Sequence, residues 1–142
     1  MSTEMTRTRP SAGRAAALVI GDVLALLIFA AIGRRSHGEA AGLAALGEVA
    51  LTALPFIVGW LAAAPWAGAF SAARTAGVGP MLRATLLGWV GGLLVGAVVR
   101  AAMIGRFSPI SFYVVTFCVA LLLLGGWRAA FATAETRRAR PA

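Results

Sequence analysis

The sequence predicts an all-α, polytopic membrane protein built as a four-transmembrane-helix bundle, and three observations predict it. Of the 142 residues, 60% are hydrophobic and only 13% charged, whereas soluble domains run near 45–50% apolar and about 25% charged. A soluble core of this size needs far more polar surface than these residues supply. Next, the apolar residues fall into four runs, 15–33, 49–70, 81–104 and 110–131, each near the roughly 20 residues that a spanning helix requires. Finally, polar residues collect in short connections and at the ends. That pattern gives one transmembrane domain over 15–131, between basic tails at 1–14 and 132–142 that have the composition of disordered segments.

The first span contains LVIGDVLALLIFAAIG, in which Asp22 is the single charged residue. Basic residues ahead of an apolar run also describe a signal peptide. This run exceeds the usual apolar region of about 7–15 residues, holds Asp22, and enters GRRSH without a small-x-small cleavage site, so it reads as a retained span. Only the segment that follows, RRSHGEAAGLAALGE, has room for a short extra helix.

In the second span, TALPFIVGW carries Pro55, which lacks an N–H and clashes with the Leu51 carbonyl. A kink is expected there, with Gly59 adding local freedom. The third span, LLGWVGGLLVG, sets Gly88, Gly92 and Gly96 four residues apart, and the first has a milder version in Ala17, Gly21 and Ala25. Lipid removes most of the hydrophobic drive for helix association, so small residues that let backbones approach decide where helices pack. The expectation is that these two faces meet; the glycine face can alternatively serve a second copy of the chain. The fourth span holds Cys118, read as a small buried apolar residue, and ends in GGWR. Of the four tryptophans, Trp66 and Trp127 fall near span ends as interfacial anchors, while Trp60 and Trp89 lie deeper, toward helix contacts.

All thirteen basic residues are arginine, and the net charge is +8. They are spread over span ends and tails, which argues for topology and anionic lipid headgroups and against nucleic acid as the partner. With the N-terminus inside, nine arginines fall on the inner side and four (Arg34, Arg35, Arg100 and Arg106) on the outer. That asymmetry places the chain in the cell membrane with both termini cytoplasmic.

Asp22 then lies about seven residues into its span, some 10 Å deep. A carboxylate near the middle of a membrane helix costs about 2.5–3.5 kcal/mol on insertion scales, so a partner is expected. Arg128 is the first choice, because its depth matches and Gly125 and Gly126 leave room beside it; Arg83 is the second. On the opposite side Arg34, His37, Glu48 and Arg100 form a candidate polar cluster in which Arg34, His37 and Arg100 can hold an anion, with interfacial snorkelling as the leading reading for Arg34 and Arg35 and an even alternative for Arg100.

No phosphate-binding glycine loop, HExxH or CxxC occurs. One Cys and one His supply neither a metal site nor a catalytic dyad, so no metal, cofactor or catalytic residue is assigned.

Taken together, Asp22, the run Gly33, Arg34, Ser36 and His37, then Pro55, Phe56, Gly59 and Trp60, then Arg100, and last Gly126, Trp127 and Arg128 resemble the family known as domain of unknown function 3054. The likeness covers roughly residues 15–131. It implies a short four-span membrane protein and supplies no substrate.

Three functions fit these residues. A permeation path for a small solute or ion through Asp22 and Arg100 requires a wet cavity between them, and a dry interior contradicts it. A structural or accessory subunit would use the glycine faces for packing and the charged pair for register. A lipid-headgroup enzyme would need a carboxylate at headgroup level, with only Glu39 and Glu48 as candidates, and ranks last.

Overall fold

The computed structural model describes residues 12–36, 38 and 42–141. Four helices account for most of them: α1 (Ala12–Ser36), α2 (Leu43–Ala63), α3 (Val78–Ile104) and α4 (Ile110–Ala139), with no strand among the described residues. Each is long and apolar enough to cross a membrane. Outward faces carry Ile20, Leu24, Ile28, Leu94, Val98 and Leu122, all exposed. Such a surface suits lipid, where backbone polar groups must be satisfied within each helix.

Short connections make consecutive helices antiparallel neighbours. Each helix packs on two others in the cyclic order α1, α2, α3, α4, leaving α1 and α3 on one diagonal and α2 and α4 on the other. The start of α1 meets the end of α4 through an Arg14–Glu135 ion pair, and the end of α1 meets the start of α2 through Arg34 and Glu48. Both described chain ends therefore share one pole, called here the terminal pole.

This arrangement corrects the expected meeting of glycine faces. Gly88, Gly92 and Gly96 abut α2, where the nearest atoms belong to Ala64, Trp60, Gly59, Phe56 and Pro55. Gly21 instead faces the Trp127 ring of α4. The cause is the packing order: α3 lies against α2 and α4, which puts α1 across the diagonal from it. α2 runs unbroken through Pro55, and Gly59 is spent on close approach to α3.

Helix bounds also differ from the apolar runs. α2 begins at Leu43, taking in residues 43–48 of the segment that had room for a separate helix, and stops at Ala63, ahead of the expected 70. Pro65 and the positive φ of Gly68 (74°) turn the chain back, so residues 64–77 form a folded connection. α4 continues to Ala139, eight residues past the expected 131, and so most of the expected C-terminal tail is helical. Polar residues on this extension, Glu135 among them, hid it from a search for apolar spans. Of the expected N-terminal tail, 12–14 open α1, while 1–11 lie outside the described residues. Cys118, expected inside, is on the outward face of α4.

The core is aromatic. Phe56 lies 6.1 Å from Phe29, 6.5 Å from Trp89 and 6.1 Å from Phe112, and Trp60 lies 6.4 Å from Trp89 and 6.5 Å from Phe70. These separations fit edge-on and tilted ring packing. Trp89 donates its indole N–H to the Phe117 carbonyl of α4 at 3.2 Å. Trp60 and Trp89 are fully buried, while Trp66 is exposed and Trp127 half-buried.

Candidate functional site

α1 presents Asp22 to the bundle axis on the same stripe as Leu18, Ala25, Leu26 and Phe29, a spacing of three and four residues. α4 presents Arg128 on the stripe of Leu124 and Ala132. The two meet as a bidentate pair: Arg128 Nε donates to Asp22 Oδ1 at 2.8 Å and Nη2 to Oδ2 at 2.7 Å. Neither side chain exposes any surface.

Further hydrogen bonds anchor both members of the pair. Trp60 Nε1 donates to Asp22 Oδ2 at 2.9 Å, tying α2 to the carboxylate. Arg128 Nη1 donates to the Ala69 carbonyl at 2.7 Å and points at Met81 Sδ, 3.5 Å away on α3. The guanidinium carbon lies 5.1 Å from the centroids of both Trp60 and Phe70. Such stacking stabilises a desolvated cation. All four helices and the 64–77 connection thus converge on one ion pair. A buried charge without a partner is very costly, whereas a paired and fully hydrogen-bonded one is tolerated.

Trp60 was placed by sequence at a helix contact without a polar role, and the Ala69 carbonyl was not foreseen. Ala69 is available only because α2 ends early and the turn at Gly68 aims its carbonyl inward. Trp60→Phe removes the N–H donor and part of the indole that packs on Gly88. It is expected to cost about 2 kcal/mol, because the lost hydrogen bond has a charged acceptor and the smaller ring leaves a void. Unfolding titrations in mixed micelles check this.

Arg83, the second choice of partner, is not at Asp22. It is exposed at the start of α3, beside Arg74, Gly79 and Pro80. A residue of equal depth to Arg128 turns out to face away, because α3 directs Met81 and Ala84 inward and so turns position 83 out.

At the opposite pole the structure brings Arg34, Glu48 and Arg100 to two adjoining clefts of about 250 and 280 Å3 that share Arg34, Thr52 and Arg100. Arg34 is ion-paired with Glu48. Arg100 Nε donates to Ser108 Oγ at 3.0 Å, and its guanidinium carbon lies 4.6 Å from the Phe112 centroid. Ser108 in turn donates its backbone N–H to the Tyr113 hydroxyl at 3.2 Å. Arg100 is therefore held by the α3–α4 connection and the first turn of α4, and its side chain lines both clefts. His37, the fourth member expected here, lies outside the described residues, as does Glu39.

Between the two polar groups, the α1 stripe from Asp22 to Arg34 covers about 18 Å of helix at 1.5 Å per residue. One of the clefts reaches down this stripe to Phe29 and Ala30, and from there to Asp22 the interior is closed by Ala25 and Leu26 against Ala53, Phe56, Trp89 and Ala120, all buried. A third polar contact, missed in the sequence, closes the terminal pole: Arg14 Nε and Nη2 bond Glu135 at 2.7 and 3.0 Å, and Nη2 also donates to Thr75 Oγ1 at 3.0 Å. An acidic residue three positions before Arg138 in a presumed tail gave no reason to look there. No group of three metal-ligating side chains occurs among the described residues.

The fold defines a class: a small bundle of four helices, each long and apolar enough to cross a membrane, with a buried aspartate–arginine ion pair in its interior. The chain belongs to the DUF3054 family of proteins of unknown function, whose family model matches residues 19–131. That range contains Asp22, Trp60, Ala69, Arg100 and Arg128. No curated protein and no solved structure matches the chain.

Proposed function

We propose that this protein is a rigid, non-conducting structural or accessory bundle of the cell membrane, with both termini cytoplasmic, in which the Asp22–Arg128 pair serves as a permanent register lock. The observation that carries this reading is the complete burial of both charges together with hydrogen bonds to Trp60 and Ala69. A relay group needs a place to pass its proton or ion. Here the next layer is hydrocarbon and aromatic ring, which argues against a path from Asp22 to Arg100. The glycine faces, engaged within the chain, leave the outward apolar surface as the place where an accessory role would be exercised. Among the described residues, arginines remain more numerous at the terminal pole than at the other, in keeping with a cytoplasmic terminal pole.

Cysteine accessibility tests the dry interior. In a Cys118→Ser background, Thr52→Cys, beside the cleft, should react with a membrane-impermeant thiol reagent, while Ala25→Cys, in the layer above Asp22, should not. Liposomes containing the protein should pass protons and ions no faster than protein-free liposomes. Comparable labelling at both positions, or flux that depends on Asp22, would replace the lock with a conduit.

A further inference from the structure

Two cavities on the outward side of α2 and α3 are neighbours, and nothing in the lock uses them. The first, about 600 Å3, lies at the terminal pole and is lined by Arg74 from the 64–77 connection and by Gly79, Pro80 and Arg83 from the start of α3. The second, about 610 Å3, is apolar and runs between the helices past Ala62, Trp66, Gly91 and Val95. Ala67 and Leu87 line both, so the polar cavity opens into the apolar groove.

Chemistry changes along this surface in the order that a phospholipid requires. Neither Arg74 nor Arg83 forms an ion pair among the described residues, and both are exposed, so two positive charges face one cavity without an acidic partner. Guanidinium groups suit phosphate oxygens because they offer paired N–H donors in one plane. Gly91 keeps the groove open: a Cβ there would sit 3.0 Å from that of Ala63. From Arg83 to Val95 the groove follows twelve residues of α3, about 18 Å at 1.5 Å per residue, against roughly 15 Å for half of a 30 Å hydrocarbon core. Trp66, 88% exposed, stands beside the junction, at the level where indoles anchor to headgroups.

We infer that this joined surface is a binding site for one anionic phospholipid of the leaflet at the terminal pole, its phosphate held between Arg74 and Arg83 and one acyl chain lying in the groove between Ala62 and Val95. The site goes beyond the structural role proposed above and is independent of the Asp22–Arg128 lock.

Native mass spectrometry of the full chain, released from mixed phosphatidylglycerol and phosphatidylcholine micelles, tests it. Wild-type protein should retain phosphatidylglycerol preferentially. The Arg74→Ala/Arg83→Ala variant should bind it about 30-fold more weakly, as expected when two arginines near the surface are lost. Ala62→Trp, at an exposed position, should fill the groove and also weaken retention while leaving both arginines in place. Inorganic phosphate and glycerol phosphate should compete poorly, since neither has a chain for the groove. Unchanged lipid retention in the double variant overturns the site. Effective competition by inorganic phosphate, with Ala62→Trp without effect, overturns the lipid and leaves a bare anion site. A change of oligomeric state on Ala62→Trp, with lipid retention unaltered, assigns the groove to a second copy and overturns the proposal equally.

Discussion

Arg128→Ala is expected to cost about 3–5 kcal/mol of stability, the largest single effect in the molecule, because it leaves a buried charge without its counter-ion. Asp22 would keep only the Trp60 N–H of its three bonds, and the Ala69 carbonyl and the Trp60 and Phe70 ring faces would lose their cation. Removing the guanidinium also opens a void where four helices and one connection meet. The loss should appear in unfolding titrations in mixed micelles and as increased protease cleavage in residues 64–77, since Phe70 and Ala69 are tied down through Arg128. A matching change at an arginine outside both the lock and the lipid site, Arg106→Ala, should leave the unfolding midpoint nearly unaltered, as its side chain is exposed in the α3–α4 connection.

The second large effect is expected at Gly59, a residue with no polar role. A Cβ there would fall 2.1 Å from the Gly92 carbonyl oxygen and 2.6 Å from the Gly96 backbone nitrogen. Both obstacles are backbone atoms of α3, so no side chain can swing aside and the two helices must separate. Overpacking of a closed interior costs about 1–3 kcal/mol, occasionally more, and Gly59→Ala should lie at the top of that range, with Gly59→Leu beyond it. Gly126→Ala provides the contrast, since nothing lies within 4 Å of its added Cβ and the position is exposed. Its unfolding free energy should change by less than about 1 kcal/mol, the scale of helix propensity. Equal losses at the two glycines, measured in the same titration, would mean that the α2–α3 contact is not as close as described.

Hydropathy alone makes the four spans legible, because a helix in lipid advertises itself by composition along its whole length. Depth and charge narrow the partners of Asp22 to two arginines near the same pole. What depth cannot supply is rotation about each helix axis. Arg83 and Arg128 are equivalent on that criterion, and α3 turns one outward while α4 turns the other inward. Rotation also decides which helices share a glycine face. Gly21 and Gly92 carry the same spacing signal, yet one accommodates a Trp127 ring and the other the backbone of α2.

Two further parts of the site were hidden for a different reason. The Ala69 carbonyl is a backbone group, anonymous in sequence, that becomes an acceptor only because Pro65 and Gly68 end α2 within the apolar run. The Arg14–Glu135 pair depends on an extension of α4 whose polar residues read as tail. Trp60 lies between these cases. Its depth marks it as buried, and a buried indole usually finds an acceptor, but only the fold shows that the acceptor is Asp22.

The central claim, that Asp22 and Arg128 form a dry and permanent lock, is tested most directly by a double-mutant cycle on the two residues. Unfolding free energies in mixed micelles are compared for wild type, Asp22→Leu, Arg128→Met and the combined variant. A lock predicts that each single change costs several kcal/mol while the pair of changes together costs far less than their sum, because no charge is then left buried without a partner. Additive losses in the combined variant would contradict the account, since they would mean that water, and not the partner side chain, satisfies each charge.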